Sequence, residues 1–153
     1  MIKVLALAAA AMTVAGAAEA GDWYLTAMSG SGAQAADRRS AEYDGSKRKI
    51  WTIAAPPTIG ADGVSYTLSQ IEFDCPGRQF RPVTASTYGN NGQSITTEYY
   101  SDPWFPIPPE SMGSTLHLVL CASGFPETGK YFSSIREFVS GFRTAAANEK
   151  ASK

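Results

Sequence analysis

The sequence predicts an α+β domain: an antiparallel sheet of about five or six strands with C-terminal helices packed on one face. Three observations lead there. Between residues 22 and 100, apolar and polar side chains alternate in short runs. Those runs are punctuated by turn signals at Asp44-Gly45, Pro76-Gly77 and Asn90-Asn91-Gly92. After a proline-rich break at 102–111, the apolar spacing becomes helical.

The first strand is expected over 22–28, with Trp23, Leu25 and Ala27 on one side. A Gly/Ser turn at 29–32 leads into a short strand or irregular piece near 33–44. Asp44-Gly45 tolerates the positive φ of a tight hairpin and opens a strand over 47–55, with Trp51 and Ile53 on one face. Pro56-Pro57 ends that strand. The strand at 64–75 is apolar at even positions (Val64, Tyr66, Leu68) and then at odd ones (Ile71, Phe73, Cys75), which predicts a bulge or bend near Ser69-Gln70. Pairing about Pro76-Gly77, through a loop somewhat wider than two residues, sets Phe73 opposite Phe80 and Glu72 opposite Arg81. A further strand is expected at 93–100. The segment 102–111 holds four prolines and reads as an extended surface stretch held by Trp104. A helix starting at Glu110 or Ser111 presents Met112, Thr115, Leu116, Val119 and Leu120 at helical spacing, ending at Cys121 and Gly124. A second, over 127–147, carries Tyr131, Phe132, Ile135, Phe138, Val139 and Phe142 on one wide face.

The chain has 153 residues, room for one domain. With 44% hydrophobic and 18% charged residues it carries enough apolar mass for a core, and a net charge of −1 argues against a nucleic-acid partner. Residues 1–20 read as a secretory signal: Lys3, an apolar run from Val4 to about Val14, and Ala18-Glu19-Ala20 as a small-x-small cleavage site. The run is shorter than the ~20 apolar residues of a spanning helix, and no cysteine stands near the cleavage site to take a lipid. The organisation is therefore a signal at 1–20, a sheet-plus-helix domain at 21–123, and an amphipathic helix with a polar tail at 124–153.

In an exported chain, two cysteines are most simply one disulfide, Cys75–Cys121. One histidine and two cysteines at this spacing make no zinc site, and no Cys-x-x-Cys is present. No cofactor is expected. His117 has no nucleophile and orienting partner around it in sequence, so it reads as a helix-surface or satisfied core histidine rather than a base. Glu72 and Asp74 beside Arg78 and Arg81 read as cross-strand ion pairs rather than catalytic carboxylates. The sequence is expected to be no enzyme. Arg38, Arg39, Lys47, Arg48 and Lys49 form a candidate ligand-binding basic strip, against the plainer reading of a solvated face. Phe132, Ile135, Val139 and Phe142 are spaced like heptad a and d positions, so the last helix either packs at home or mediates self-association.

The order "DWYL" (22–25), "KIWTI" (49–53), "EFDC" (72–75), "RQFR" (78–81), Tyr88, "PWFPIPPES" (103–111) and "LVLC" (118–121) resembles the surface-adhesin protein E family of Gram-negative bacteria over roughly 22–122. The resemblance implies a sheet-plus-helix domain, a two-cysteine bridge and no catalysis. It also implies adhesion to host matrix or serum proteins. The lipid-anchored type of that family has a cysteine this chain lacks, and Pro108-Pro109-Glu110-Ser111 replaces a Pro-Gly-Ser helix entrance. The expected function is an exported, non-catalytic module binding extracellular proteins, periplasmic or secreted and not lipid-anchored. The alternative is a soluble periplasmic structural or accessory protein with no host ligand.

Overall fold

The structure is a computed structural model and describes residues 20–101 and 103–152. The expected signal at 1–20 lies outside the described residues, except for Ala20. The strands are β1 (Ala20–Ser29), β2 (Gly32–Asp37), β3 (Glu42–Asp44), β4 (Lys47–Ala55), β5 (Tyr66–Asp74), β6 (Gln79–Tyr88), β7 (Ser94–Tyr99), β8 (Phe105–Pro106) and β9 (Tyr131–Ser134). Helix α1 (Met112–Leu118) runs into a wide turn over Val119–Ser123, and α2 spans Ile135–Ala151. The main path through the sheet is β7-β6-β5-β4-β2-β1-β9, with β3 beside β4 and β8 beside β6.

The α+β class holds, but the described sheet has nine strands rather than five or six. The additions are short: β3 has three residues, β8 two and β9 four. Such pieces are too brief to show an alternation of their own, and their pairing partners supply the reason they are extended. β8 occurs inside the proline-rich segment and takes the edge position that proline permits.

A second correction concerns the layers. The helices do not share one face; they cover opposite faces of the sheet. On β4, Ile53 and Ala55 pack under α2 with Trp23, Ala33, Ala35, Phe138, Val139 and Phe142. Ile50, on the other side of the same strand, packs with Ala36, Phe73, Leu116 and Leu120 around α1. Alternation along a strand turns neighbours to opposite faces, so the two clusters are separated by the sheet itself. This also explains β5. Leu68 packs in the α2 cluster, while Ile71 and Phe73 pack in the α1 cluster. Both apolar sets are buried by one regular strand, which pairs with β4 without interruption from Thr67 to Asp74.

The expected irregularity is at the right level but on the partner. Register shifts between Gln70 and Ile71 opposite β6, where Thr84 and Pro82 face them and Val83 is the extra residue. Below the shift the pairing is as expected, with Phe73 opposite Phe80 and Glu72 opposite Arg81, through a four-residue turn at Cys75–Arg78. A second bulge, at Thr26 of β1, turns Ala27 away from the face of Trp23 and Leu25, against expectation.

The helix expected from 127 begins only at Ile135. Tyr131 and Phe132 lie instead in β9, facing Tyr24 and Trp23 of β1. The start signal is Ser134-x-x-Glu137. Ser134 Oγ accepts from Glu137 N at 3.1 Å, and Glu137 Oε2 accepts from Ser133 N and Oγ, both at 2.7 Å. The apolar face of α2 is spent within the chain: Ile135, Phe138, Val139 and Phe142 are all buried against its own sheet, with Phe132 of β9 beside them. Helix α1 starts at Ser111 as expected, its Oγ accepting from Ser114 N at 3.1 Å, and the following turn ends at Gly124 with φ 73.

Cys75 and Cys121 are bonded, with Cα atoms 5.5 Å apart and a sequence separation of 46. The bridge ties the end of β5 to the turn after α1, over the α1 face of the sheet. In the chain-entropy account, closing a loop of this size contributes roughly 4 kcal/mol. His117 reinforces the same joint, its Nε2 lying 3.2 Å from the Cys75 carbonyl oxygen and its ring beside Phe73. The sole histidine is thus engaged with backbone in the packed joint.

Candidate functional site

The five basic residues proposed from sequence do not form one strip. Arg38 sits in a short helical turn after β2. Its guanidinium pairs with Asp22, Nε to Oδ2 at 2.7 Å, and lies 4.9 Å from the centre of the Tyr131 ring. The hydrogen bonds to Asp22 raise the Arg38 pKa further above its ordinary value. Arg39, next to it, is exposed. On β4, alternation splits the triplet: Lys47 and Lys49 share the α2 face, and Arg48 turns to the other. Arg48 lies 4.9 Å from the Tyr43 ring centre and donates from Nη1 to the carbonyls of Gly45 and Lys47 at 2.7 and 2.8 Å.

Register then neutralises the two lysines. Across β3, β4, β5 and β6, one row reads Glu42, Lys49, Glu72, Arg81. Lys49 Nζ is 3.6 Å from Glu42 Oε2, and Arg81 is 2.6 Å from Glu72 Oε2. The next row reads Asp44, Lys47, Asp74, Gln79. Alternating signs at cross-strand distances leave little net field. Trp104 caps this end, with Arg81 at 4.7 Å and Lys47 at 5.4 Å from its ring centre. The proline-rich segment is thereby held where the sequence placed it. This region is a charge ladder. The pairing of Glu42 and Asp44 was legible from the Asp44-Gly45 turn, since a hairpin there sets both acids opposite the lysines.

Beyond the ladder, the same face runs from the α2-side core, which Trp51 and Leu68 join, out to an exposed edge. Successive rows carry Trp51, Gln70, Thr84 and Tyr99, then Leu68, Ser86 and Thr97. The sheet ends at β7, Ser-Ile-Thr-Thr-Glu-Tyr, every residue of which is exposed. Tyr99 is 84% and Ile95 47% accessible, unusual for an aromatic and a β-branched side chain on a strand. On its inner side β7 pairs with β6 and is locked by hydroxyl pairs, Ser86 with Thr97 at 2.8 Å and Thr87 with Thr96 at 3.0 Å. On its outer side no described strand pairs with it. No local signal marks this, because an edge position depends on which strands fail to arrive beside it.

Among the described residues, no group of three or more metal-capable side chains gathers. No described helix is long and apolar enough to cross a membrane.

The family model for surface-adhesin protein E matches residues 23–122. The chain belongs to that family. No curated protein and no solved structure matches the chain. In this surface-adhesin protein E chain the matched stretch runs from β1 to the turn holding Cys121. It contains the disulfide, the charge ladder, Trp104 and all of β7. β9 and α2 follow it, yet they complete the sheet edge beside β1 and the α2-side core. Membership supports an adhesin-like role at or beyond the cell surface.

Proposed function

We infer that this chain is an exported, non-catalytic binding module of the adhesin type that takes an extended segment of an extracellular protein along β7. The observation that carries this reading is the outer edge of β7: six exposed residues without proline or lysine, offering unpaired backbone groups flanked by Ile95 and Tyr99. Natural sheets guard such edges with charge, proline or a covering element, and β7 has only Glu98. An added strand gains main-chain hydrogen bonds from the edge and specificity from alternate side chains. Family membership supplies the direction, an adhesin-like protein.

The test is binding of the purified chain to a panel of immobilised matrix and serum proteins, with Ile95→Lys/Tyr99→Lys as comparator. The expected result is saturable binding to at least one protein, weakened tenfold or more in the double variant. Binding to none of them, together with recovery of the protein only from the periplasm, supports the accessory-protein alternative. Binding that the variant leaves unchanged overturns the β7 assignment.

A further inference from the structure

A cleft of about 370 Å³ lies between α2 and the turn after β6, with no residue of β7 in its lining. That volume is near the lower end for small-molecule sites, which run about 300–1,000 Å³. Its walls differ in chemistry. Ile135 and Val139 of α2 form an apolar side. Tyr66 forms a flat base, its ring stacked on Tyr88 with centres 4.8 Å apart and planes 11° apart. Asn90 brings an amide from the turn, while the neighbouring Asn91 amide is held at both ends by Gln93, at 2.9 and 3.0 Å; Ser140 brings a hydroxyl from the helix, which donates to the Glu137 carbonyl at 3.3 Å and keeps its oxygen as an acceptor.

Arg143 supplies the deciding feature. Its Nη2 donates to the Ser65 carbonyl at 2.8 Å and its Nε to the Pro56 carbonyl at 3.5 Å. These two acceptors hold one edge of the guanidinium and bring no charge. Among the described residues no carboxylate pairs with it, in contrast to Arg38 and Arg81, which each hold one. Partial burial pushes its pKa down from the ordinary arginine value. The guanidinium fork has five donors, so its remaining N–H groups are able to take a carboxylate beside the apolar wall and the tyrosine ring.

We propose that this cleft binds a ring-bearing carboxylate of monosaccharide size, such as a sugar acid, with the carboxylate on Arg143 and the ring between Tyr66 and Val139. The Asn90 amide and the accepting lone pairs of the Ser140 hydroxyl face ring hydroxyls. Such a site is separate from the β7 edge and stands or falls without it.

The probes are D-glucuronate, D-glucose, which keeps the ring and lacks the charge, and acetate, which keeps the charge and lacks the ring. Each is titrated into the full chain and followed by calorimetry and by amide chemical shifts. D-glucuronate is expected to bind at least tenfold more tightly than either other probe, with shifts at Tyr66, Asn90 and Ser140. Arg143→Gln is expected to abolish that preference. Because Arg143 also ties two carbonyls, Ser140→Trp serves as a second variant, filling the cleft from an exposed helix position; it is expected to weaken D-glucuronate tenfold or more with the circular dichroism unchanged. No binding of D-glucuronate, equal binding of acetate, equal binding of D-glucose, or binding that a folded Ser140→Trp chain retains would each overturn the proposal.

Discussion

Arg81 and Glu72 face each other across the β5–β6 hairpin, Nε to Oε2 at 2.6 Å, one residue pair from Phe73 opposite Phe80 on the other face. The two pairs fix the same register from opposite sides of the sheet. A slip of one residue would turn Phe80 to the face of Glu72 and carry Arg81 into the α1 core. A double-mutant cycle with Glu72→Gln and Arg81→Gln is expected to give a coupling energy of about 0.2–1 kcal/mol by chemical denaturation. Arg81 remains 39% exposed, which keeps the value at that scale. A coupling energy of zero would show that the aromatic pair alone sets the register.

That register was legible because the turn, the charges and the aromatic pair all lie within ten residues of one another. What was less legible depended on distant parts of the chain. The switch from Leu68 to Ile71 suggested a strand that changes face. It records instead a sheet buried on both faces, since α2 covers Leu68 and α1 covers Ile71. Local alternation cannot tell these apart, because either a bulge or a second layer makes the same pattern. Tyr131 and Phe132 continue the helical spacing of Ile135 and Phe138, so they read as helix until the Ser134-x-x-Glu137 start signal is weighed. The basic strip failed for a third reason. Lys47 and Lys49 lie next to Arg48 in sequence, yet their electrostatic neighbours are Asp74 and Glu72 on the adjacent strand.

The cap of α2 gives a pH dependence with a definite sign. Hydrogen bonds from the Ser133 hydroxyl and then the Ser133 N–H hold the Glu137 carboxyl below the ordinary glutamate range. A group whose pKa is lower folded than unfolded contributes stability above the unfolded value and loses it as pH falls through the folded one. Ser133→Ala removes the larger of the two bonds. The expected outcome is a melting-temperature difference between wild type and variant that is present at neutral pH. It should shrink as pH drops below about 4, the usual glutamate range. A difference of equal size at pH 7 and at about pH 3 would mean that the carboxylate charge is not what the cap uses.

The last prediction concerns α2 as part of the core. Phe138 is fully buried, edge-on to Phe132 with ring centres 5.4 Å apart, in the cluster that also holds Trp23, Ile53 and Phe142. It lies beyond the stretch matched by the family model, which ends at residue 122. If α2 were an appendage, truncating this side chain would leave the melting of the sheet unchanged. The packing argues otherwise, because a Phe→Ala change in a filled core loses both transfer energy and the contacts around the cavity, about 3–5 kcal/mol. Phe138→Ala is expected to cost that much in one cooperative transition, whereas Met112→Ala, at a half-exposed position on α1, should cost far less. The two variants are compared by urea denaturation of the disulfide-bonded chain, following tryptophan fluorescence for the sheet and far-ultraviolet dichroism for the helices. Coincident transitions shifted together in Phe138→Ala would establish that sheet and helix fold as one unit. A sheet transition that stays in place while the helical signal melts early would assign α2 to a separate, weakly held layer.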